Sequence, residues 1–239
     1  MKKYCIIIVA LSTVFSCQED VKIDFVEENI EMSQDAEISI NFPKAEGHKS
    51  ASELINTTIQ NYIVSQTYLG EDSLTNLSIA DAVKRFNTEF KNFKTNFPDS
   101  AQKWEAFIDG EVTYSSPEVI SIAINTYLDT GGAHGNTNIK FFNFDPQTGE
   151  LYSMDDLIKD NKNLSELIAD QLKEEVKSNS DEPIEDFFFG KDFQLPESIG
   201  YSDEGLIILY NPYEIASYSQ GIIQFTISFE KVSSFLNVN

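Results

Sequence analysis

The sequence predicts an α+β fold in which a mainly antiparallel sheet packs against about three helices. Two observations predict this class. Segments whose apolar residues recur every three to four positions are mixed with segments in which apolar and polar residues alternate. The two kinds of segment do not follow the strand–helix–strand order of a parallel sheet. A chain of 239 residues is also long enough to bury a core without disulfides.

The first residues are typical of a secretory signal. Lys2 and Lys3 precede a short apolar run, which is below the roughly 20 residues needed to span a bilayer. The run ends at residues 14–17, VFSC, which resemble the lipobox of bacterial lipoproteins. We therefore expect residues 1–16 to be a lipoprotein signal peptide and Cys17 to become the lipid-bearing membrane anchor. The alternative is a secretory signal with an incidental cysteine.

Residues 17–36 are rich in acids. A charged run of this kind near a terminus usually stays solvated, so this segment is predicted to be an acidic tether. Apolar alternation from Ile23 onward allows part of it to pair as an edge strand. Residues 18–20, QED, resemble the short signal that sends some Bacteroidetes lipoproteins to the cell surface. The predicted location is therefore the cell envelope, as an outer-membrane lipoprotein that is either periplasmic or surface-exposed.

Residues 37–115 are predicted to form an N-terminal α+β segment. A strand over Glu37–Pro43 is expected to end at its proline. Ser50 and Glu53 have the spacing of a capping box before a first helix, and Ser78 has the same position before a second. The first helical stripe comprises Leu54, Ile55, Ile59, Tyr62, Ile63 and Leu69, and the second comprises Ile79, Ala82, Val83, Phe86, Phe90, Phe93 and Phe97. A strand over Trp104–Tyr114 completes the segment.

Residues 116–239 are predicted to form a C-terminal α+β domain, separated from the first by a break near residues 115–117. Its helix runs from about Leu164 to Val176, with Asn163 and Glu166 at capping spacing. Its strands are predicted at Val119–Leu128, Ile139–Phe144, Ile199–Tyr201, Leu206–Tyr210 and Ile222–Phe229.

Composition limits the possible chemistry. The two cysteines, Cys5 and Cys17, belong to the predicted signal and its end, so the mature chain has no thiol for a disulfide, a metal or a nucleophile. Two histidines argue against zinc, and no cofactor is predicted. A net charge of −22 disfavours nucleic acid and would attract a basic protein partner, although it is also typical of an envelope protein kept soluble by carboxylates.

The loop between the predicted strands Val119–Leu128 and Ile139–Phe144, TGGAHGN, is the least generic part of the sequence. Glycines that accept positive φ suit a tight reversal, so a purely structural hairpin explains them. The polar residues beside them also suit contact with an anion, a sugar hydroxyl or a basic side chain. The candidate contact residues of this loop are Asp129, Thr130, Gly131, Gly132, His134 and Asn136.

A second loop, YNPYEIASYSQG over residues 210–221, contains four tyrosines. Tyrosine gives a flat, semi-polar contact surface and is favoured in binding sites. The alternative is that these rings cover the end of the core. Tyr210, Tyr213 and Tyr218 are the candidate contact residues of this loop.

Catalysis by a Ser/His/Asp set would need His134, because His48 lies on a polar loop before the first helix. The Gly-x-Ser-x-Gly turn that presents a nucleophilic serine is not found in the sequence. Asp155 and Asp156 lack the spacing of a calcium loop and are predicted to be turn and helix-start residues. We therefore predict no catalytic residues and no metal site.

Together the two loops resemble the extracytoplasmic domain of RsiV-type anti-sigma factors, which also occurs beside the catalytic domain of some peptidoglycan deacetylases. The resemblance covers roughly residues 117–232, and residues 38–62 resemble the segment that usually precedes this domain. The matching residues are Gly131, Gly132, Ala133, His134, Gly135, Asp145, Thr148, Gly149, Asp156, Leu157, Pro212, Tyr213 and Gly221.

The resemblance implies an α+β envelope domain that is not itself catalytic. In the RsiV group the domain binds lysozyme, a basic protein. We expect this chain not to be an anti-sigma factor of that design, because it lacks a transmembrane helix and a cytoplasmic sigma-binding segment. It also lacks the metal-binding histidines of a deacetylase domain.

The predicted function is thus a lipid-anchored binding or sensing module of the cell envelope, which recognises a basic protein such as lysozyme or a peptidoglycan component. Two alternatives are a peptidoglycan- or glycan-acting hydrolase that uses His134, and a structural envelope protein.

Overall fold

The computed structural model describes residues 22–33, 35–67, 77–179 and 184–239. The predicted signal peptide, Cys17 and the acidic motif at residues 18–20 lie outside the described residues, as does Leu69 of the first helical stripe. None of the described helices is both long and apolar enough to cross a membrane.

A five-stranded sheet forms the centre of the molecule, with its strands in the order β1-β2-β3-β4-β5. Neighbours are antiparallel except β2 and β3, which are parallel. The predicted α+β class with a mainly antiparallel sheet is therefore confirmed. The strands are β1 (Ile23–Met32), β2 (Glu37–Gly47), β3 (Glu105–Ser115), β4 (Ile120–Asp129) and β5 (Asn136–Phe144).

Two helices, α1 (Lys49–Thr67) and α2 (Ile79–Asn96), link the parallel strands β2 and β3 and cover one face of the sheet. Their apolar stripes bury against alternate residues of the strands, as the helical period requires. Two predicted members of the stripes are wrong, because Leu54 is 40% exposed and Phe97, at the end of α2, is 58% exposed. The core side chains contributed by the helices include Ile55, Ile59, Ile63, Val83, Phe86 and Phe90.

The starts of these helices differ in how well the sequence predicts them. Ser78 caps α2 as expected, because its hydroxyl accepts a hydrogen bond from the Asp81 N–H at 3.1 Å. The capping box at Ser50 is wrong, since α1 already begins at Lys49. The Ser50 hydroxyl instead lies 3.3 Å from His48 Nδ1.

The N-terminal strands extend beyond their predicted bounds. Within the acidic segment 17–36, β1 pairs along its length with β2, as the alternation from Ile23 predicts. β2 does not end at Pro43, which pairs with Glu27 of β1 in the strand register. The hydrogen-bonded ladder between β2 and β3 ends at Asn41. Pro43, which has no N–H to donate, therefore lies beyond that ladder.

A second layer contains a three-stranded antiparallel sheet and a long helix with its own apolar core. Asp160, not Asn163, caps the long helix, because its carboxylate accepts the Asn163 N–H at 3.1 Å. The elements are α3 (Met154–Leu157), α4 (Asn161–Asn179), β6 (Ile199–Ser202), β7 (Gly205–Tyr210), β8 (Ile223–Ser228) and α5 (Phe229–Val232), with short 3₁₀ turns at Ile184–Gly190, Tyr218–Gln220 and Ser233–Phe235.

The two layers meet on the face of the large sheet that α1 and α2 do not cover. Ala123 and Phe141 of the large sheet pack there against Ile207 and Leu209 of β7. The predicted boundary between residues 115 and 116 falls between β3 and β4, which pair with each other over their lengths. The two predicted segments therefore share one continuous sheet.

Gly200 permits the closest approach between the layers. A Cβ atom at this position would lie 2.3 Å from a ring carbon of Phe141, a side chain that is 6% exposed. The close approach of β6 to this part of β5 therefore uses the absence of a side chain at residue 200.

We expect Gly200→Ala to lower the free energy of unfolding by about 1–3 kcal/mol, because the added methyl group overpacks a buried interface. Urea denaturation measures the change. Gly132→Ala is the matched control, because a Cβ there meets nothing closer than 3.7 Å. Equal stability of the two variants would contradict this account of the layer interface.

Candidate binding surface

The loop between β4 and β5 is a tight turn built from its own polar groups. Asp129 Oδ1 accepts the Gly131 N–H at 2.8 Å, and the Gln102 side-chain amide donates to the Gly131 carbonyl at 2.6 Å. Gly131 has a φ of 88°, which L side chains rarely adopt. Asp129 and Gly131 therefore shape the turn.

Gly135 lies at the end of this turn, against the ring of Tyr127. A Cβ atom at Gly135 would lie 2.4 Å from that ring. Tyr127 in turn stacks on Phe107, with ring centroids 6.0 Å apart. Because Gly135 has no side chain, the stacked pair of Tyr127 and Phe107 can pack directly against the turn.

The second loop is attached to the outer edge of β5 by Asn211, which is 8% exposed. Its side-chain oxygen accepts the Ile139 N–H at 2.7 Å, and its side-chain N–H donates to the Ile139 carbonyl at 2.9 Å. One side chain therefore satisfies both backbone groups of a strand edge that would otherwise remain unpaired.

Glu214 fixes the backbone of the same loop. Its two carboxylate oxygens accept the N–H groups of Asn211 at 2.8 Å and Glu197 at 2.7 Å. Burial raises the pKa of Glu214, while these two backbone donors oppose that shift. Between the two anchors, Tyr213 has a φ of 68°, an unfavourable conformation for a residue other than glycine. The anchors hold Tyr213 in that conformation with its ring 55% exposed.

The two loops meet at one end of the large sheet. The ring of His134 stacks on that of Tyr218 with centroids 3.8 Å apart and planes inclined by 22°. The Tyr218 hydroxyl donates to the Gly135 carbonyl at 2.9 Å, and the Tyr213 hydroxyl lies 3.4 Å from His134 Nε2. We call His134, Tyr213 and Tyr218 the aromatic surface.

Both ring nitrogens of His134 have polar neighbours. Nδ1 lies 2.8 Å from the Gly135 carbonyl, which can only accept, so this nitrogen carries a proton. In the neutral ring Nε2 is then free to accept from the Tyr213 hydroxyl. The aromatic surface can therefore stack against a flat or apolar group and form hydrogen bonds at its rim.

The structure brings together three of the predicted contact residues, His134, Tyr213 and Tyr218. Thr130, Gly132 and Asn136 are exposed on or beside the same turn. Tyr210 does not belong to the surface. It is fully buried, and its hydroxyl donates to the Gln194 carbonyl at 2.9 Å. Burial also raises the pKa of Tyr210, as expected for a phenol in the core.

The sequence analysis missed four residues that position this surface: Gln102, Tyr127, Asn211 and Glu214. For two of them the sequence contained a usable signal. Asn211 and Glu214 flank the Pro-Tyr pair directly after a buried strand, where a polar side chain needs a backbone partner. The contacts of Gln102 and Tyr127 with the turn depend on the tertiary structure, so the local sequence does not indicate them.

The remaining polar residues considered as ligands have structural roles. Ser153 and Asp156 form a capping box at the start of α3, which confirms the prediction of a helix-start residue. The Asp145 side chain accepts the Gln147 N–H at 2.7 Å within the turn after β5. Among the described residues no group of three or more His, Cys, Asp or Glu side chains is placed to hold a metal ion.

Two family models match parts of the chain. Residues 155–230 match the family model of DUF3298, a protein of unknown function, and residues 30–137 match that of the deacetylase PdaC. These matches confirm the predicted resemblance to the extracytoplasmic domain of RsiV-type anti-sigma factors, and residues 155–230 are similar to the DUF3298 family.

Two relatives from Bacillus subtilis strain 168 match the chain. It is 25% identical over 153 residues to the peptidoglycan-N-acetylmuramic acid deacetylase PdaC and 28% identical over 142 residues to the anti-sigma-V factor RsiV. The matched segments cover 59% and 54% of this chain but 32% and 48% of the relatives. The chain therefore spans about a third of one relative and about half of the other.

Two crystal structures of DUF3298 family proteins share the fold, one from Pseudomonas aeruginosa PAO1 and one from Bacteroides fragilis NCTC 9343. Each gives a TM-score of 0.60 over 91% of this chain and 94% of the other, at 17% and 21% identity respectively. Both layers of the molecule are therefore part of a recurring architecture.

We expect Asn211→Asp to lower the free energy of unfolding by about 1–3 kcal/mol. A carboxylate cannot donate to the Ile139 carbonyl, so that buried contact loses its hydrogen bond and gains a repulsive charge. Chemical denaturation at neutral pH measures the effect. Asn136→Asp, an equal change at an exposed position at the start of β5, should stay within about 0.5 kcal/mol. Equal effects at both positions would contradict the anchoring role of Asn211.

Proposed function

We propose that this protein is a non-catalytic binding or sensing module of the bacterial cell envelope that recognises a basic protein such as lysozyme. The observation that carries the proposal is the junction of the two loops, which gathers His134, Tyr213 and Tyr218 into one exposed surface. A peptidoglycan component is the other ligand class that such a surface suits.

The relatives support a binding module rather than an activity. One is named as a peptidoglycan deacetylase and the other as an anti-sigma factor, and the matched segments cover less than half of either. A segment shared by two proteins with such different names is better explained as a recognition module combined with different partners. The same relatives and the predicted signal peptide support an envelope location, with Cys17 as the proposed lipid anchor.

Charge favours a basic protein over a neutral glycan as the partner. The net charge of the chain is −22, and opposite charge speeds association and increases selectivity for a cationic surface. The aromatic surface adds a desolvated contact at the centre of the interface, which charge alone does not provide. Tyrosine is among the residues most often found at such centres.

The contacts of His134 favour binding over hydrolysis. Its ring is stacked on Tyr218, and its two nitrogens face a backbone carbonyl and a phenol, so its observed partners do not include the carboxylate that orients a catalytic histidine. The carboxylate of the same loop, Asp129, accepts the Gly131 N–H instead. A structural envelope protein without a ligand leaves the exposed, strained Tyr213 unexplained.

Binding of lysozyme by the full chain tests the proposal. We expect complex formation at low salt and weaker binding as the salt concentration rises, because exposed charges are screened within about 10 Å at 0.1 M salt. Isothermal titration or surface plasmon resonance at several salt concentrations measures this. Absence of binding at low salt would contradict lysozyme as the partner.

The aromatic surface is tested in the same assay. Tyr213→Ala should weaken binding by roughly 5- to 30-fold, the effect of about 1–2 kcal/mol at an interface centre. Phe97→Ala is the matched control, because Phe97 is a similarly exposed aromatic at the C-terminal end of α2, outside the two loops. Equal loss in both variants would remove the assignment. Turnover of peptidoglycan that depends on His134 would instead support the hydrolase alternative.

A further inference from the structure

A groove lies near the aromatic surface, where β7 and β8 face the large sheet. Its volume is about 210 Å³. Phe141 and Ile207, both largely buried, form its apolar floor, and Asp109 and Glu111 of β3 form one rim. We call this feature the acidic groove.

The rim carries negative charge without a compensating cation. Asp109 and Glu111 are exposed, and the neighbour of Asp109 is the neutral amide of Asn41, which donates to its carboxylate at 3.2 Å. Asn125 and Gln224 add two further amides. Within the described part of the chain, no lysine or arginine lines the groove and neither rim carboxylate takes part in a salt bridge.

The size of the groove selects its occupant. Pockets for whole small molecules usually measure about 300–1,000 Å³, so a volume of about 210 Å³ suits a single side chain better. An apolar floor beneath two carboxylates matches a lysine, which buries its methylene stem and keeps its ammonium group at a polar rim. A neutral side chain would leave the two rim carboxylates without an opposite charge.

The acidic groove lies near the aromatic surface along β5. Ile139 lines the groove and is the residue whose backbone Asn211 pairs with. From Ile139 to Asn136 at the turn is three residues, or about 10 Å along a strand. One partner can therefore contact the aromatic surface and the groove at the same time.

We propose that the acidic groove is a lysine-binding subsite, which takes the side chain of a lysine from the basic protein that binds at the aromatic surface. This inference rests on the proposed function, because the partner is the same. The subsite specifies what that partner must present: a lysine about 10 Å from the residues that contact the tyrosines.

The test is a titration of the full chain with N-acetyl-lysine amide, followed by NMR of isoleucine methyl groups. We expect saturable shifts at Ile139 and Ile207, with none at Ile55 and Ile63 in the core beneath α1. N-acetyl-norleucine amide, which keeps the stem but lacks the ammonium group, should cause no such shifts. Absent shifts, or equal shifts with both amides, would overturn the proposal.

A charge-neutral variant provides the second arm. The double variant Asp109→Asn/Glu111→Gln should weaken lysine-amide binding by about threefold or more, since each exposed ion pair contributes up to about 1 kcal/mol. The matched control Glu89→Gln/Asp99→Asn removes the same two charges at exposed positions on and after α2, and it should bind as the wild type does. Equal affinity in both double variants would overturn the proposal.

The two proposals can fail separately. The amide titration does not involve lysozyme, so a groove that does not respond overturns the lysine subsite even where lysozyme binds. Absence of lysozyme binding overturns the proposed partner even where the groove responds to the amide.

Discussion

The bidentate contact between Asn211 and the edge of β5 is the constraint on which the rest of this structure depends. β5 is the last strand of its sheet, so the Ile139 N–H and carbonyl point away from β4 and need partners. A second strand partner for β5 would cover the edge completely. The side chain of Asn211 covers it at one residue instead, and this fixes where the loop after β7 runs. Glu214 then ties the loop backbone in place.

This constraint determines which groups face solvent at one end of the molecule. Because Asn211 and Glu214 hold the loop on both sides, Tyr213 keeps a left-handed backbone conformation and an exposed ring. The same attachment brings Tyr218 over His134. The acidic groove begins at the residue that Asn211 contacts. Stacking, hydrogen bonding and negative charge thus lie next to one another, although their residues come from distant parts of the sequence.

Local patterns predicted the elements well and the site only in part. The period of apolar residues gave the helices and strands, and Ser78 was a correct cap because its partner lies three residues away. The capping box predicted at Ser50 is wrong, because helix start signals compete over a few positions. The prediction of Tyr210 as a contact residue is wrong, because composition cannot distinguish a tyrosine that ends a buried strand from one in the loop after it. Asn211 was missed since its partner lies 72 residues away, a distance that only the fold can close.

The central claim is that the two loops form a single surface, and the imidazole of His134 reports on this directly. The chain has two histidines, so their ring protons are readily assigned in an NMR spectrum, with His48 as the internal reference. Stacking at 3.8 Å on Tyr218 predicts nuclear Overhauser effects between the two rings and an upfield ring-current shift of the His134 protons, both lost in Tyr218→Leu. His134 signals that match those of His48, with no contact to Tyr218, would contradict the account.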